Sequence, residues 1–497
     1  MYSNRTKDNK IETGIMSKSL SPKPNKYNSV STDIVNKLKD IVGSKYIIFN
    51  DVEKLEPFSH DETPDKKYAH MPEVVVRPSA TEEIAKIVKL ANKYLIPITP
   101  RGAGSGLSGG AVPIYGGIVI SIDRMNKVIE FDKCNMMITV EPGVIANDIN
   151  EYLEGSGLFY AGYPMSYETC YIGGNVAENA GGGNAVKYGV TSRYVLGLEV
   201  VTPKGEIVEY GGKLVKDVSG YSMVQLMVGS EGTLGIFTKI ILKLIPAVKH
   251  KINILCLFDT VDNAIETVNS ISSLTGVVPS AIEFMDKQSI QASCEYLNET
   301  IPYEKAGAML IVTVDGKTET EVDSDYTAIC EMFEKHESVI EIYIADNPIT
   351  SERIWKVRRN IAEAFNLISQ RQSNEDIVVP PASIAVMIKK LTSLSDKYKL
   401  KIPCFGHAGD GNIHARIMSP KEWSDDKWND VIPKILEELY ELTSKLGGKI
   451  SGEHGIGHKR KKDLKKVTSK EYLNIIRSIK IALDPNYILN PGKIFDI

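Results

Sequence analysis

The chain has 497 residues, with 59 Lys or Arg against 63 Asp or Glu and a formal net charge of −4 at pH 7. That length exceeds the ~250–300 residues at which a single core stops growing, so two or three domains are expected. The balanced charge gives no basic field for nucleic acid, and no apolar run approaches the ~18 residues of a membrane span, so neither DNA binding nor membrane insertion is expected.

The first thirty residues are polar and lack an apolar h-region, and so predict a disordered tail (residues 1–30) rather than a signal peptide, with a cytoplasmic protein behind it. "VVVRP" (Val74 to Pro78) predicts a buried strand. Residues 79–95 predict a helix with Ser79 and Glu82 at capping-box spacing and Ile84, Ile87, Val88, Ala91 and Leu95 on one face. A strand from Tyr94 to Pro100 leads into "PRGAGSGLSGGAVP", where Gly104, Gly106 and Gly109 match the G-x-G-x-x-G pattern. In a nicotinamide-binding unit those glycines open a helix whose N-terminal amides hold the phosphates. Here Pro113, Gly116 and Gly117 stop any helix and a strand, Ile118 to Asp123, follows. A nicotinamide site is therefore not expected, and the loop amides need another ligand.

Farther on, "MITVEPGV" and "IANDINEYLEGSG" repeat the strand–helix pattern, with Ile145, Ile149 and Leu153 spaced by four before a Gly-Ser-Gly stop. Residues 162–189 are glycine-rich and irregular. "YVLGLEVVTPKGEIVEYG" predicts a hairpin about Pro203, Lys204 and Gly205. From residue 250 to about 450, strand-like "INILCLF", "AMLIVTVDG" and "IEIYIAD" alternate with amphipathic helices, as in a sheet covered on one side. The last forty residues hold the helix "YLNIIRSIKIAL" and end in "DPNYILNPGKIFDI". The six cysteines (Cys134, Cys170, Cys256, Cys294, Cys330, Cys404) are scattered singly with no C-x-x-C, which argues against thiolate zinc and Cys-ligated iron–sulfur clusters. They read as reduced thiols.

Glycine costs conformational entropy and supplies no packing, so long glycine-rich loops point to a ligand that approaches the backbone closely. "PRGAGSGLSGG", "IGGNVAENAGG", "GSEGTLGI" and the closing "NPGK" together resemble the flavin domain of the vanillyl-alcohol oxidase and p-cresol methylhydroxylase family. Within it the chain is similar to the D-2-hydroxyacid dehydrogenase branch, from about Val35 to the C-terminus. The resemblance implies an α+β architecture: an FAD-binding domain (residues 31–249), an α+β substrate or cap domain with an antiparallel sheet (250–455), and a C-terminal segment (456–497) returning to the first domain. It also implies non-covalent FAD, with Arg101, Gly102, Gly104, Ser105 and Gly106 around the pyrophosphate, bound by a nest of amides that needs no helix. Pro164, Thr169, Gly173, Gly174, Asn179, Gly182 and Ile236 would line the rest of the cofactor, and Asn490 would close over the flavin. One departure is "YPMSY", where relatives often carry an Asp-Pro-Gly turn.

Four of eight histidines fall in "FGHAGDGNIHARI" and "SGEHGIGHKRK". Asp410-Gly411 reads as a two-residue hairpin turn, which pairs Gly409 with Asn412, Ala408 with Ile413 and His407 with His414. Opposed residues have Cβ atoms about 4.5–5.5 Å apart, so both imidazoles would reach one ion; the alternative is a surface hairpin. With Glu453 the set becomes two histidines and a carboxylate, suited to Zn²⁺ or Fe²⁺ with positions left open. The same three positions match the metal site of that branch. A divalent ion lowers a hydroxyl's pKa, and His454 is the candidate base for the proton as the C2 hydride goes to flavin N5. Arg358 matches the position where the family places a carboxylate-binding arginine; its alternative is an ordinary surface charge. His60, His70, His250, His336 and His458 read as structural or exposed. Ala362 and Asn374 stand where relatives that take dicarboxylates carry further polar residues, which favours a small monocarboxylate.

The function expected is FAD- and metal-dependent oxidation of D-lactate to pyruvate. Glycolate or D-2-hydroxyglutarate with quinone as acceptor is an alternative, as is a non-catalytic flavin relay subunit, against which His407, His414, Glu453 and His454 argue. With no cysteine cluster, haem signature or nicotinamide loop, the electron acceptor is external. The resemblance implies an electron-transferring flavoprotein partner, as in bifurcating lactate dehydrogenases that reduce NAD⁺. An oligomer is expected.

Overall fold

In the computed structural model, residues 26–369 and 371–496 are described; residues 1–25 of the expected tail lie outside them. Residues 26–30 are not tail. Tyr27 is buried, its hydroxyl donating to the Tyr487 carbonyl at 2.6 Å, and the Val30 amide donates to Glu73 at 2.6 Å.

Val74–Val76 and Ile118–Ser121 are buried throughout, as strands covered on both faces must be. They form the centre of a four-stranded sheet in the order Ile47–Ile48, Val74–Val76, Ile118–Ser121, Ile98–Arg101, with the last three mutually parallel. The helix Thr81–Tyr94 makes the crossover and buries Ile84, Ile87, Val88 and Ala91, as its periodicity predicts. Its cap differs from the expectation. Ala80 occupies the N-cap and offers no side-chain acceptor, and it is Glu83, not Glu82, that reaches back to the Ser79 amide at 2.7 Å. The N-cap falls one residue later than the serine suggests.

A five-stranded antiparallel sheet follows, in the order Val128–Asp132, Met137–Val140, Ile236–Lys243, Val195–Val201, Ile207–Gly211. The predicted hairpin is present: Val201 pairs with Ile207, and Gly205, at φ 77°, donates to the Thr202 carbonyl.

The third sheet has seven antiparallel strands, ordered Val339–Ala345, His250–Phe258, Ala308–Gly316, Ala281–Asp286, Cys404–His407, Asn412–Met418, Gln372–Val378. The expectation of helices on one side alone is corrected. Ile254, Cys256 and Phe258 pack under the helices Val261–Thr275, Glu319–Glu334 and Ile384–Tyr398. Leu255 and Leu257, pointing the other way, pack under Lys287–Leu297, Pro348–Arg359 and Ile361–Ile368. "ILCLF" is apolar at consecutive positions because both its faces are covered. After the helix Lys470–Leu483 the chain returns to the first sheet, where Leu489 bridges Ile98 in parallel.

Candidate active site

Strand pairing in the seven-stranded sheet assembles the charged cluster. The Asp410-Gly411 hairpin does not have the predicted register: His407 pairs with Asn412 and His414 with Phe405, so Ala408 to Gly411 form a four-residue loop. The loop's backbone is claimed by neighbouring strands, Gly409 N donating to the Ile282 carbonyl and Val379 N to that of Gly411, which overrides the two-residue preference. His407 and His414 are therefore diagonal rather than opposite, yet on one face, with ring centroids 5.3 Å apart. What stands opposite each histidine is a carboxylate on the adjoining strand: Glu283 against His407 and Asp376 against His414.

His407 Nε2 and His414 Nε2 lie 3.6 and 3.4 Å from Glu453 Oε1, and the three donor atoms lie within 4.8 Å of one another. Ligands about 2.1 Å from a tetrahedral ion are about 3.4 Å apart, so the donors sit close to coordinating separations. His407 Nε2 is buried with no hydrogen-bond partner, the state a metal ligand would leave in a structure without metal. His407 Nδ1 is fixed by Glu283 at 2.5 Å, the carboxylate–histidine arrangement that sets tautomer and basicity of a ligand. The donor set thus fits a divalent ion. Asp376, His414 and His454 form a second cluster within 4.8 Å, but Asp376 Oδ2 already accepts from Ser451 Oγ and from the amides of Gly452, Glu453 and His454. Asp376 organises the Ser451–His454 turn through Oδ2, whose lone pairs are spent, and its Oδ1 accepts from Asn412 Nδ2.

His454 stacks on His414 at 5.3 Å with 9° between planes. Burial, against the pull of Asp376 and Glu453, holds its imidazole below the ordinary value, so it is unprotonated at neutral pH. His414 is held well below as well, by burial and by the neighbouring His407 and His454. Arg358 is no surface charge. It is 5 % exposed, its Nε donates to Glu283 at 2.7 Å, and its Nη2 is buried without a partner. Glu283 is therefore shared between His407 and Arg358, and its carboxyl is held below the ordinary value by these contacts in spite of burial. Glu283→Gln is expected to weaken metal binding about 10–100-fold, the usual cost of losing such a partner, with flavin content unchanged. Competition with a chromophoric chelator measures it.

This cluster and the glycine loops share one cavity of about 550 Å³, lined by Arg101 to Gly106, Pro164, Thr169, Gly173, Gly174 and Ile236 on one side and by Arg358, His407, His414, Glu453 and His454 on the other. A methyl on Gly174 would meet nothing within 4 Å, and one on Gly102 nothing nearer than 3.7 Å, so these glycines border open space. Gly104 is different: at φ 81° its Cβ would fall 2.1 Å from Arg101 Nη2. The Arg101 guanidinium itself donates to the carbonyls of Pro57 and His60, bracing the loop from behind while its backbone faces the cavity. Asn179, Gly182 and Asn490 are not among the cavity-lining residues; Asn175 and Gly181 are. Asn490 Nδ2 donates to the carbonyls of Gly110 and Glu231, tying the first glycine loop to the "GSEGTLGI" segment. The glycine cradle fits a bound cofactor, and Gly174→Leu is expected to yield folded protein that has lost its flavin, read from the absorbance ratio of purified protein.

Sequence reasoning missed four residues of this site. Glu283 and Asp376 stand opposite the histidines, Glu231 accepts the amides of Ile456 and Gly457, and Arg416 lines the cavity two residues after His414. The Glu231 contacts, with His458 N and Lys459 N on the Ser108 carbonyl, hold the His454 segment against the first glycine loop.

Residues 72–211 match the FAD binding domain family, and residues 247–494 match the family of FAD linked oxidases, C-terminal domain. The chain is 37% identical to a D-lactate dehydrogenase of Anaerostipes hadrus over 94% of its own length and 98% of that relative. It is 38% identical to the glycolate oxidase subunit GlcD of Bacillus subtilis, over 88% and 92% of the two chains. Its fold matches the crystal structure of p-cresol methylhydroxylase with substrate bound, at a TM-score of 0.74 and 18% identity, covering 94% of this chain and 98% of that one.

Proposed function

The chain belongs to the FAD-linked oxidases of the vanillyl-alcohol oxidase and p-cresol methylhydroxylase fold, and from that premise we propose that it oxidises a D-2-hydroxy acid to the 2-oxo acid, D-lactate to pyruvate being the reaction its relatives' names support. The observation that carries the reading is the single cavity in which a glycine cradle faces two histidines and a carboxylate. When bound, a divalent ion on His407, His414 and Glu453 would acidify the substrate hydroxyl and FAD would accept the C2 hydride.

The chain's own residues do the rest. Arg358 Nη2, unpartnered in the cavity wall, binds the substrate carboxylate. His454 Nε2, 3.7 Å from Glu453 Oε1, takes the hydroxyl proton. Asp376, whose Oδ2 is 3.8 Å from His454 Nδ1, favours the resulting imidazolium through its charge. Anaerobic mixing with D-lactate, L-lactate, glycolate and D-2-hydroxyglutarate tests the reading through flavin bleaching. L-lactate bleaching fastest would overturn the stereochemistry.

The electrons then leave to an external carrier, which we take to be an electron-transferring flavoprotein. All six cysteines are free, and no helix among the described residues is long and apolar enough to cross a membrane. The isolated protein is expected to reduce an artificial dye but not NAD⁺, and to form a complex with such a flavoprotein on gel filtration. Rapid quinone reduction by the protein alone, with no complex, would favour the quinone-linked alternative.

A further inference from the structure

The flavin cavity has a neighbour of about 400 Å³, whose walls include the exposed residues Ser444, Gly447 and Lys449 and which therefore reaches solvent. Among the described residues, Glu178 and Glu453 line both cavities. Glu453 is a proposed metal ligand, whereas Glu178 belongs to neither donor cluster and has no part in the reaction as described above. It is the last residue of the helix Ile172–Glu178, and its carboxyl is wedged between two glycines. A methyl on Gly110 would fall 2.8 Å from Glu178 Oε1, and one on Gly455, at φ 83°, would fall 2.2 Å from Glu178 Oε2 and 3.1 Å from Glu231 Oε1. The first glycine loop and the His454 segment thus both omit a side chain where this carboxyl lies. Glu178 Oε2 is nevertheless buried without a hydrogen-bond partner.

The groups that face Glu178 favour its neutral form. Burial and the like charges of Glu231 and Asp61 raise its carboxyl well above the ordinary value, against the pull of Arg460. Glu231 holds its own charge more readily, because it accepts the amides of Ile456 and Gly457 at 2.8 and 2.6 Å and has Lys493 and Arg460 nearby. Asp61 likewise accepts from Gly109 N at 2.7 Å. Oxidation of a 2-hydroxy acid frees one hydroxyl proton per turnover, and that proton has to leave the cavity. Resting on the 2-hydroxy acid reading, we propose that Glu178 relays the hydroxyl proton from the flavin cavity to the neighbouring cavity and so to solvent. A carboxylic acid does this by accepting a proton on one oxygen while releasing its own from the other, and it ends as it began. Over the turnover the substrate O–H and C2–H bonds break and the C=O bond forms. The C2 hydride goes to the cofactor, one proton goes to bulk water, and His454 is free for the next substrate.

The test follows flavin bleaching and proton release together, after anaerobic mixing of the metal-replete, flavin-containing protein with D-lactate in weak buffer that holds a pH indicator. In the unaltered protein the proton is expected to reach solvent in step with bleaching. Glu178→Gln keeps the shape of the side chain and removes the exchangeable acid. It is expected to retain flavin and metal and to bleach in the first turnover at close to the original rate. Proton release, and repeated turnover with an artificial electron acceptor, are expected to slow on the order of 10²-fold, the scale of a lost proton-transfer group. Glu178→Asp, whose shorter arm sets the acid back from Gly455, is the second variant, with an intermediate lag expected. Proton release in step with bleaching in both variants overturns the relay. Loss of flavin from Glu178→Gln also overturns it, by making Glu178 part of the cofactor cradle. If no 2-hydroxy acid bleaches the unaltered protein, the 2-hydroxy acid reading itself fails, and the relay, which needs that proton, falls with it.

Discussion

Replacing His414 by alanine is expected to remove the metal and abolish turnover while FAD stays bound. His414 Nε2 is 3.4 Å from Glu453 Oε1 and provides one of three donors, and a site cut to His407 and Glu453 lacks the count a divalent ion needs. The flavin cradle is built elsewhere, on the glycine loops at 101–106 and 173–174, the first of which is followed by Gly110, whose carbonyl Asn490 holds. Metal analysis beside the flavin spectrum separates the two outcomes. A metal-free variant that still turns over would exclude chelation of the substrate hydroxyl.

For His454→Ala, metal and flavin are both expected to remain, with flavin reduction slowed by about 10²–10⁴, the range for a lost general base. The distinction from His414 rests on Asp376. His454 belongs to a possible ligand cluster only together with that carboxylate, whose Oδ2 already accepts four hydrogen bonds. A neutral, buried imidazole stacked on His414 is placed to take a proton from a hydroxyl held at the donor set. Single-turnover kinetics with parallel metal analysis decide, and loss of the metal would make His454 a ligand and leave the base unassigned.

Much of this was legible in the sequence, and the parts that were not share a cause. The glycine loops, the 195–211 hairpin and the histidine segments are local patterns, readable within about a dozen residues, and the structure brings the loops and histidines to one cavity. Glu283 and Asp376 were invisible because each meets its histidine only through strand pairing across 124 and 38 residues respectively, and no local periodicity encodes that register. The hairpin at 408–411 went wrong for the same reason: Ile282 and Val379, distant in sequence, compete for its backbone. Arg416 lies in "NIHARI", whose alternation of polar and apolar residues is that of a half-exposed strand, whereas the strand is buried at every position. Its polar face looks into a cavity, not into solvent.

The most direct test of the central claim is a single-turnover experiment under anaerobic conditions, with metal-replete and chelator-stripped protein mixed separately with D-lactate and with L-lactate while the flavin absorbance is followed. The account predicts bleaching by D-lactate in the replete protein alone, restored to the stripped protein by Zn²⁺ or Fe²⁺. Equal bleaching with and without metal, or faster bleaching by L-lactate, would contradict it.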